Sequence, residues 1–193
     1  MTTNATAEGG DAALNETSTT GYNLYYQPTS PGEAETAAAP TALSPRHQRT
    51  VLRLAVPLAT LVHEQKAGLV YTAPLDIMIE KSPLRLRRPD LFFVSETRMK
   101  PDDEPEGALD VGPDLIIEVL SPHESRRTFA PALADYTTIG VCEVWIVSPQ
   151  SETVEVLRAT EDSWETAALF GRGQTAAGEV LPGYQVSVDD LFD

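Results

Sequence analysis

The chain has one cysteine, Cys142, among its 193 residues. That excludes an internal disulfide framework and any multi-cysteine zinc site. Cys142 lies in the apolar run Val141-Cys-Glu-Val-Trp-Ile-Val147, where packing is its expected role. No window approaches the ~18–20 consecutive apolar residues that a membrane span requires. The opening stretch MTTNATAEGGDAALNETSTTG has neither a basic start nor an apolar segment, so it does not read as a secretory signal. A cytoplasmic protein with no membrane partner and no organic cofactor is the expectation. Basic residues are missing from both ends: residues 1–45 carry five acids and no Lys or Arg, and residues 128–193 carry eleven acids against two arginines. The net charge of −15 argues at first sight against a nucleic-acid ligand. The arginines that do occur gather in the middle, at Arg46, Arg49, Arg53, Arg85, Arg87, Arg88, Arg126 and Arg127. They make either a solvated mixed surface or a local anion-binding face on an acidic protein.

The length suffices for one domain with a real core. Residues 1–20 hold little to bury and read as a disordered tail, leaving 21–193 as a single domain. Ser44-Pro45 is a helix start, with serine at the N-cap and proline at the first helical position. Val51, Leu54, Leu58, Leu61 and Val62 then recur at helical spacing. Pro57 should kink this helix and Gly68 should stop it. After Gly68 the period falls to two: Leu75, Ile77 and Ile79 alternate as in a half-buried strand, and Leu91-Phe-Phe-Val94 suggests another. Strands are expected at 114–120, 141–147, 152–158 and 164–170. A helix is expected from Glu124, or only from near Thr128 because of Pro131, to about Ile139, and a helical turn should end the chain. The order indicates a mixed α+β fold, a central mixed sheet flanked by helices.

The chemistry concentrates around PDLIIEVLSP, residues 113–122, where Glu118 stands between Ile117 and Val119 in an otherwise apolar strand. A carboxylate set there needs a cation, hydrogen-bond donors or a ligand. Asp114 shares its strand face but lies about 13 Å away at ~3.3 Å per residue, too far to grip one ion with it. Asp90 heads the preceding strand and would lie beside Glu118 if the two strands pair. Two carboxylates so placed would hold one hard divalent ion, with water completing its shell. In the alternative, Asp90 and Asp114 are ordinary turn residues and Glu118 pairs with Arg126 or Arg127.

Four segments together carry a resemblance: RRPDLFFVS, PDLIIEVLSPHESRR, LADYTTIGVCEVWIVSP and EVLPGYQVSVDDLF. In this order they resemble a large bacterial family of restriction-endonuclease-like proteins in the PD-(D/E)XK nuclease superfamily. SPRHQRTVLRL resembles its first core helix, so the likeness spans about residues 44–193. The resemblance implies a restriction endonuclease-like core with C-terminal β-hairpin elements. It implies Asp90 and Glu118 as catalytic, metal-holding acids, the Val119 carbonyl as a further ligand, and Mg²⁺ or Mn²⁺ as the cation. Glu35, in Gly32-Glu-Ala-Glu35, stands for the family's upstream catalytic glutamate, and His47 and Gln48 match its RHQ segment. Arg126, Arg127, Arg49 and Arg88 are the candidate phosphate-binding residues, DNA the expected partner, and a homodimer the expected assembly.

The motif is incomplete. Its lysine position holds Leu120, and the following helix, where family members supply the lysine, aligns Thr128 with an acid and Ala132 with the lysine. Losing one preorganised charge contact of this kind commonly lowers the rate ~10²–10³-fold. Arginine at 126 or 127 could bind phosphate there but not act as a base at neutral pH. Two readings follow: a metal-dependent endodeoxyribonuclease of reduced activity, or a catalytically degenerate nuclease fold that binds DNA or protein.

Overall fold

The structure, a computed structural model, describes residues 44–193 except His123 and Asp162. The tail reading, the domain start at residue 21 and Glu35 lie outside the described residues.

Helix α1 runs Pro45–Gln65, and the Ser44 hydroxyl accepts the His47 N–H at 3.1 Å. This is the N-cap that a Ser-Pro start requires. Leu54, Leu58 and Val62 are buried along its inner stripe. The helix does not reach Gly68. It closes at Lys66, whose backbone turns left-handed (φ 52°) and returns its N–H to the carbonyls of His63 and Val62. Gly68 instead opens strand β1 (Gly68–Thr72), at φ +150°, where an added Cβ would sit 2.1 Å from the Val94 carbonyl oxygen. The glycine thus serves a close backbone approach between strands rather than a helix end. Gly68→Ala should destabilise the fold by about 2 kcal/mol or more, read as a lower urea midpoint with an unchanged slope.

Two short strands follow, β2 (Ile77–Lys81) and β3 (Leu84–Arg87), paired as a separate antiparallel hairpin. Strand β4 is Leu91–Ser95, β5 is Leu115–Val119, β6 is Glu143–Ser148, β7 is Thr153–Ala159 and β8 is Trp164–Phe170. With β1 they form a six-stranded sheet ordered β1-β4-β5-β6-β7-β8. All neighbours are antiparallel except β5 and β6, which the crossover through helix α2 (Ala130–Thr138) makes parallel. A second hairpin, β9 (Thr175–Ala177) with β10 (Gln185–Ser187), leads into the terminal helix α3 (Val188–Phe192). The fold is therefore mixed α+β, a six-stranded mixed sheet flanked by helices.

The strand period of two divides the core between the sheet's faces. Leu91, Phe93, Leu115, Ile117, Val119, Trp145 and Val147 pack with Leu54, Leu58 and Val62 of α1, with Val186 of the C-terminal hairpin and with Leu191 of α3. Phe92, Val94, Ile116, Val144 and Ile146 pack with Leu133 and Tyr136 of α2 and with Ile77 of β2. By the same alternation Glu118 belongs to the α2 side. Cys142 departs from the packing expected of it: it is exposed, one residue before β6, with Sγ 3.3 Å from Nη2 of Arg98. Strand alternation does not govern a position outside the strand. Among the described residues no helix is long and apolar enough to cross a membrane.

Candidate active site

Strands β4 and β5 pair with Leu91 opposite Ile117, so the residues just beyond that pair, Asp90 and Glu118, face each other across the sheet. Two backbone ties fix them there. The Asp90 N–H donates to Glu118 Oε2 at 3.4 Å, and the Val119 N–H donates to Asp90 Oδ2 at 2.8 Å. The other Asp90 oxygen meets His47 of α1, with Nε2 3.0 Å from Oδ1. A carboxylate only accepts, so His47 Nε2 carries the proton. The N-cap at Ser44 sets the first turn of α1 and with it the His47 ring, which is buried. Its Nδ1 has no hydrogen-bond partner among the described residues.

Glu118 takes its second contact from α2: the Tyr136 hydroxyl donates to Oε1 at 2.5 Å. Burial, and then the negative charge of Asp90, push the Glu118 carboxyl from 4.5 up to about 8. The Tyr136 bond and the Asp90 N–H act the other way without cancelling them. Tyr136 is itself driven well above the ordinary phenol range by burial and by Glu118, while the positive charge of Arg87 works against that rise. The pair is therefore short of positive charge.

Glu143 supplies the contrast. It is more deeply buried than Glu118, yet it accepts from Trp145 Nε1 at 2.8 Å, from the Glu179 N–H at 2.8 Å and from the Val180 N–H at 3.4 Å. That acid is satisfied by the fold alone, whereas Glu118 is not.

The donor set suits a hard divalent ion. It is all oxygen, from two carboxylates on facing strand positions, and Mg²⁺ is commonly held by one or two carboxylates while keeping several waters. Among the described residues no group of three or more His, Cys, Asp and Glu gathers as a metal site. Protein ligands beyond Asp90 and Glu118 would thus have to come from the backbone, as at Val119, or from outside the described residues, where Glu35 lies.

The other singled-out residues are dispersed. Asp114 accepts the Ser95 N–H at 2.7 Å and pairs with Arg98 at 2.9 Å, so it serves the loops at the far end of β5. Arg126 pairs with Glu155 at 3.4 Å rather than with Glu118, and Arg88 grips Asp76 through two bonds of 2.8 and 2.9 Å. Arg49 and Arg127 are exposed. Ala132, where the resemblance expects the lysine, is buried in the α2 core, and Thr128 lies before α2 and bonds Ser125. Three residues that touch or adjoin the pair were not assigned from the sequence: Tyr136, Asp135 and Arg87. The signal available was the position of Tyr136 and Asp135 in the LADY segment, but their reach toward β5 depends on how α2 docks.

Comparison with known proteins adds the ancestry. A crystal structure from Anabaena variabilis, described as "a putative nuclease belonging to DUF820", superposes with a TM-score of 0.63 over 77% of this chain and 81% of that one. At 19% identity the likeness establishes the fold. No curated protein matches the chain. The family model described as "Putative restriction endonuclease", named Uma2, matches residues 30–189, and the chain belongs to that family.

Proposed function

We propose that this protein is a divalent-metal-dependent endonuclease that hydrolyses DNA phosphodiester bonds. The observation that carries the reading is the facing pair Asp90 and Glu118, two acids brought together by strand register with no Lys or Arg paired to either among the described residues. Asp90, Glu118 and the Val119 carbonyl would hold Mg²⁺ or Mn²⁺. When bound, such an ion lowers the pKa of a water and draws charge from a phosphoryl group. The chain's own residues do the rest. His47 and the Val119 N–H hold the Asp90 carboxylate in one orientation, and Tyr136 does the same for Glu118. Since burial and Asp90 raise the Glu118 carboxyl to about 8, the pair stores a proton at neutral pH and must release it to act as a doubly charged ligand set.

One observation favours a second reading, a degenerate nuclease fold that binds DNA or protein without cutting. Leu120 and the buried Ala132 stand where the resemblance expects the motif's lysine, and neither carries charge.

Supercoiled plasmid incubated with Mg²⁺ or Mn²⁺ separates the two, with metal binding followed by calorimetry. Nicking by the wild type that falls ~10²-fold or more in Asp90→Ala is the expected result. Equal nicking by Asp90→Ala would remove the pair from the chemistry. A wild type that neither binds the ions nor nicks DNA leaves the binding module.

A further inference from the structure

The β2–β3 hairpin ends three residues before Asp90 and carries two arginines that meet on one carboxylate. Arg87 places Nε at 2.7 Å and Nη2 at 2.6 Å from Oδ2 of Asp135, and Arg85 places Nε 3.3 Å from Oδ1. Asp135 is buried in α2, immediately before Tyr136, whose hydroxyl reaches Glu118. Glu80 approaches Arg85 at 3.3 Å, but no other acid pairs with Arg87 among the described residues.

A guanidinium has five N–H donors in a fixed fork. Arg87 spends two of them on Asp135, and about a third of its side chain stays open to solvent. Arg85 is nearly half exposed. Two cations share one buried anion, and with the exposed Glu80 set against Arg85 what they leave at the edge of the carboxylate pair is unspent donors, above all those of Arg87. Anchoring also removes much of the entropy that a free arginine loses on gripping an anion. Arg88 spends the same two donors, Nε and Nη2, but on an acid it does not share, Asp76.

We propose that Arg85 and Arg87, held in place by Asp135, form the site that binds a backbone phosphate of the DNA strand lying over Asp90 and Glu118. This inference rests on the nuclease reading for its ligand. It gives the hairpin the positive charge next to the acids that neither Leu120 nor Ala132 provides. Recognition is through phosphate, so it is independent of base sequence.

The test is binding of a fluorescent DNA duplex in EDTA across a range of salt, which needs neither metal nor turnover. Arg87→Gln should weaken binding ~10-fold near physiological salt and reduce the slope of log affinity against log salt by about 0.9. Arg85→Gln should act in the same direction. Arg87→Lys keeps the charge without the fork, so it should restore the slope but only part of the affinity. Arg158→Gln, level with the opposite end of β5 and paired with Glu165 and Glu179, should change neither. A slope unchanged in Arg87→Gln, with or without a lower melting temperature, reduces the cluster to a structural latch and overturns the inference. So does a wild type that does not bind the duplex. Loss of plasmid nicking in Asp90→Ala together with an unchanged slope in Arg87→Gln sinks this inference and keeps the nuclease. A reduced slope in a wild type background that never nicks DNA keeps this inference and sinks the nuclease.

Discussion

Glu118→Gln should reduce metal-dependent cleavage ~10³-fold while raising the melting temperature at alkaline pH. The two effects have one origin. In the fold the Glu118 carboxyl titrates at about 8, against 4.5 when free of the fold, because burial and then Asp90 oppose its charge. Below about 4.5 the group is protonated in both states and imposes no penalty. Between the two values the unfolded chain is ionised and the folded chain holds a proton, so stability falls as pH rises. Above about 8 the folded state carries the full penalty of two facing carboxylates. Glutamine is uncharged and nearly the same shape, so it removes this dependence and can still accept from Tyr136 Oη. The gain above pH 8 should be about 1–3 kcal/mol after discounting for partial exposure, worth a few degrees in a chain of this size. Mg²⁺ should raise the wild-type melting temperature above pH 8 and leave Glu118→Gln unmoved, because the cation supplies the missing positive charge only where both acids are present. Thermal melts from pH 5 to 9, with and without Mg²⁺, check this. A flat wild-type profile, or cleavage retained by Glu118→Gln, contradicts it.

Glu143→Ala should have the reverse signature: a loss of about 3–5 kcal/mol in urea unfolding, with cleavage per folded molecule unchanged. Glu143 is the buried staple of the C-terminal segment, joining the Trp145 indole to the backbone at Glu179 and Val180. Its removal strands those donors in the interior. The segment also fits closely around the carboxylate: a Cβ on Gly178 would stand 1.9 Å from Oε1. The β5–β6 register sets Glu143 opposite Leu115, at the far end of β5 from Val119, so its loss should not disturb Asp90 and Glu118. An unfolding midpoint equal to wild type would show that the three bonds contribute nothing net. Read together, the two substitutions separate an acid kept for the fold from one that burdens it.

The helix start at Ser44-Pro45 was legible because capping is local: a hydroxyl three residues from the N–H it accepts needs nothing distant. The strands over Leu91–Ser95 and Glu143–Ser148 were legible for a related reason, since an apolar run records burial directly. Strands β1 and β3 left a weaker trace. Gly68–Tyr71 is uniformly half-buried and Thr72 exposed at a sheet edge, and Leu84–Arg87 is half basic, so neither shows a clear inward face. Gly68 misled as a helix stop because glycine ends helices and opens close strand contacts for the same reason, the absence of a Cβ.

What the sequence determined by itself is the supply of elements and of acids: a capped amphipathic helix, apolar strands, and the carboxylates Asp90 and Glu118 placed where two strands begin and end. Each follows from interactions between neighbours in the chain. What only the tertiary structure decided is who meets whom. The antiparallel register of β4 on β5 sets Asp90 opposite Glu118, the docking of α2 gives Glu118 a tyrosine rather than an arginine, and the β2–β3 hairpin lays Arg85 and Arg87 on Asp135. These contacts join residues 28, 18, 48 and 50 positions apart. Over such separations local preference carries no information, and the packing of the two faces of the sheet sets the distances.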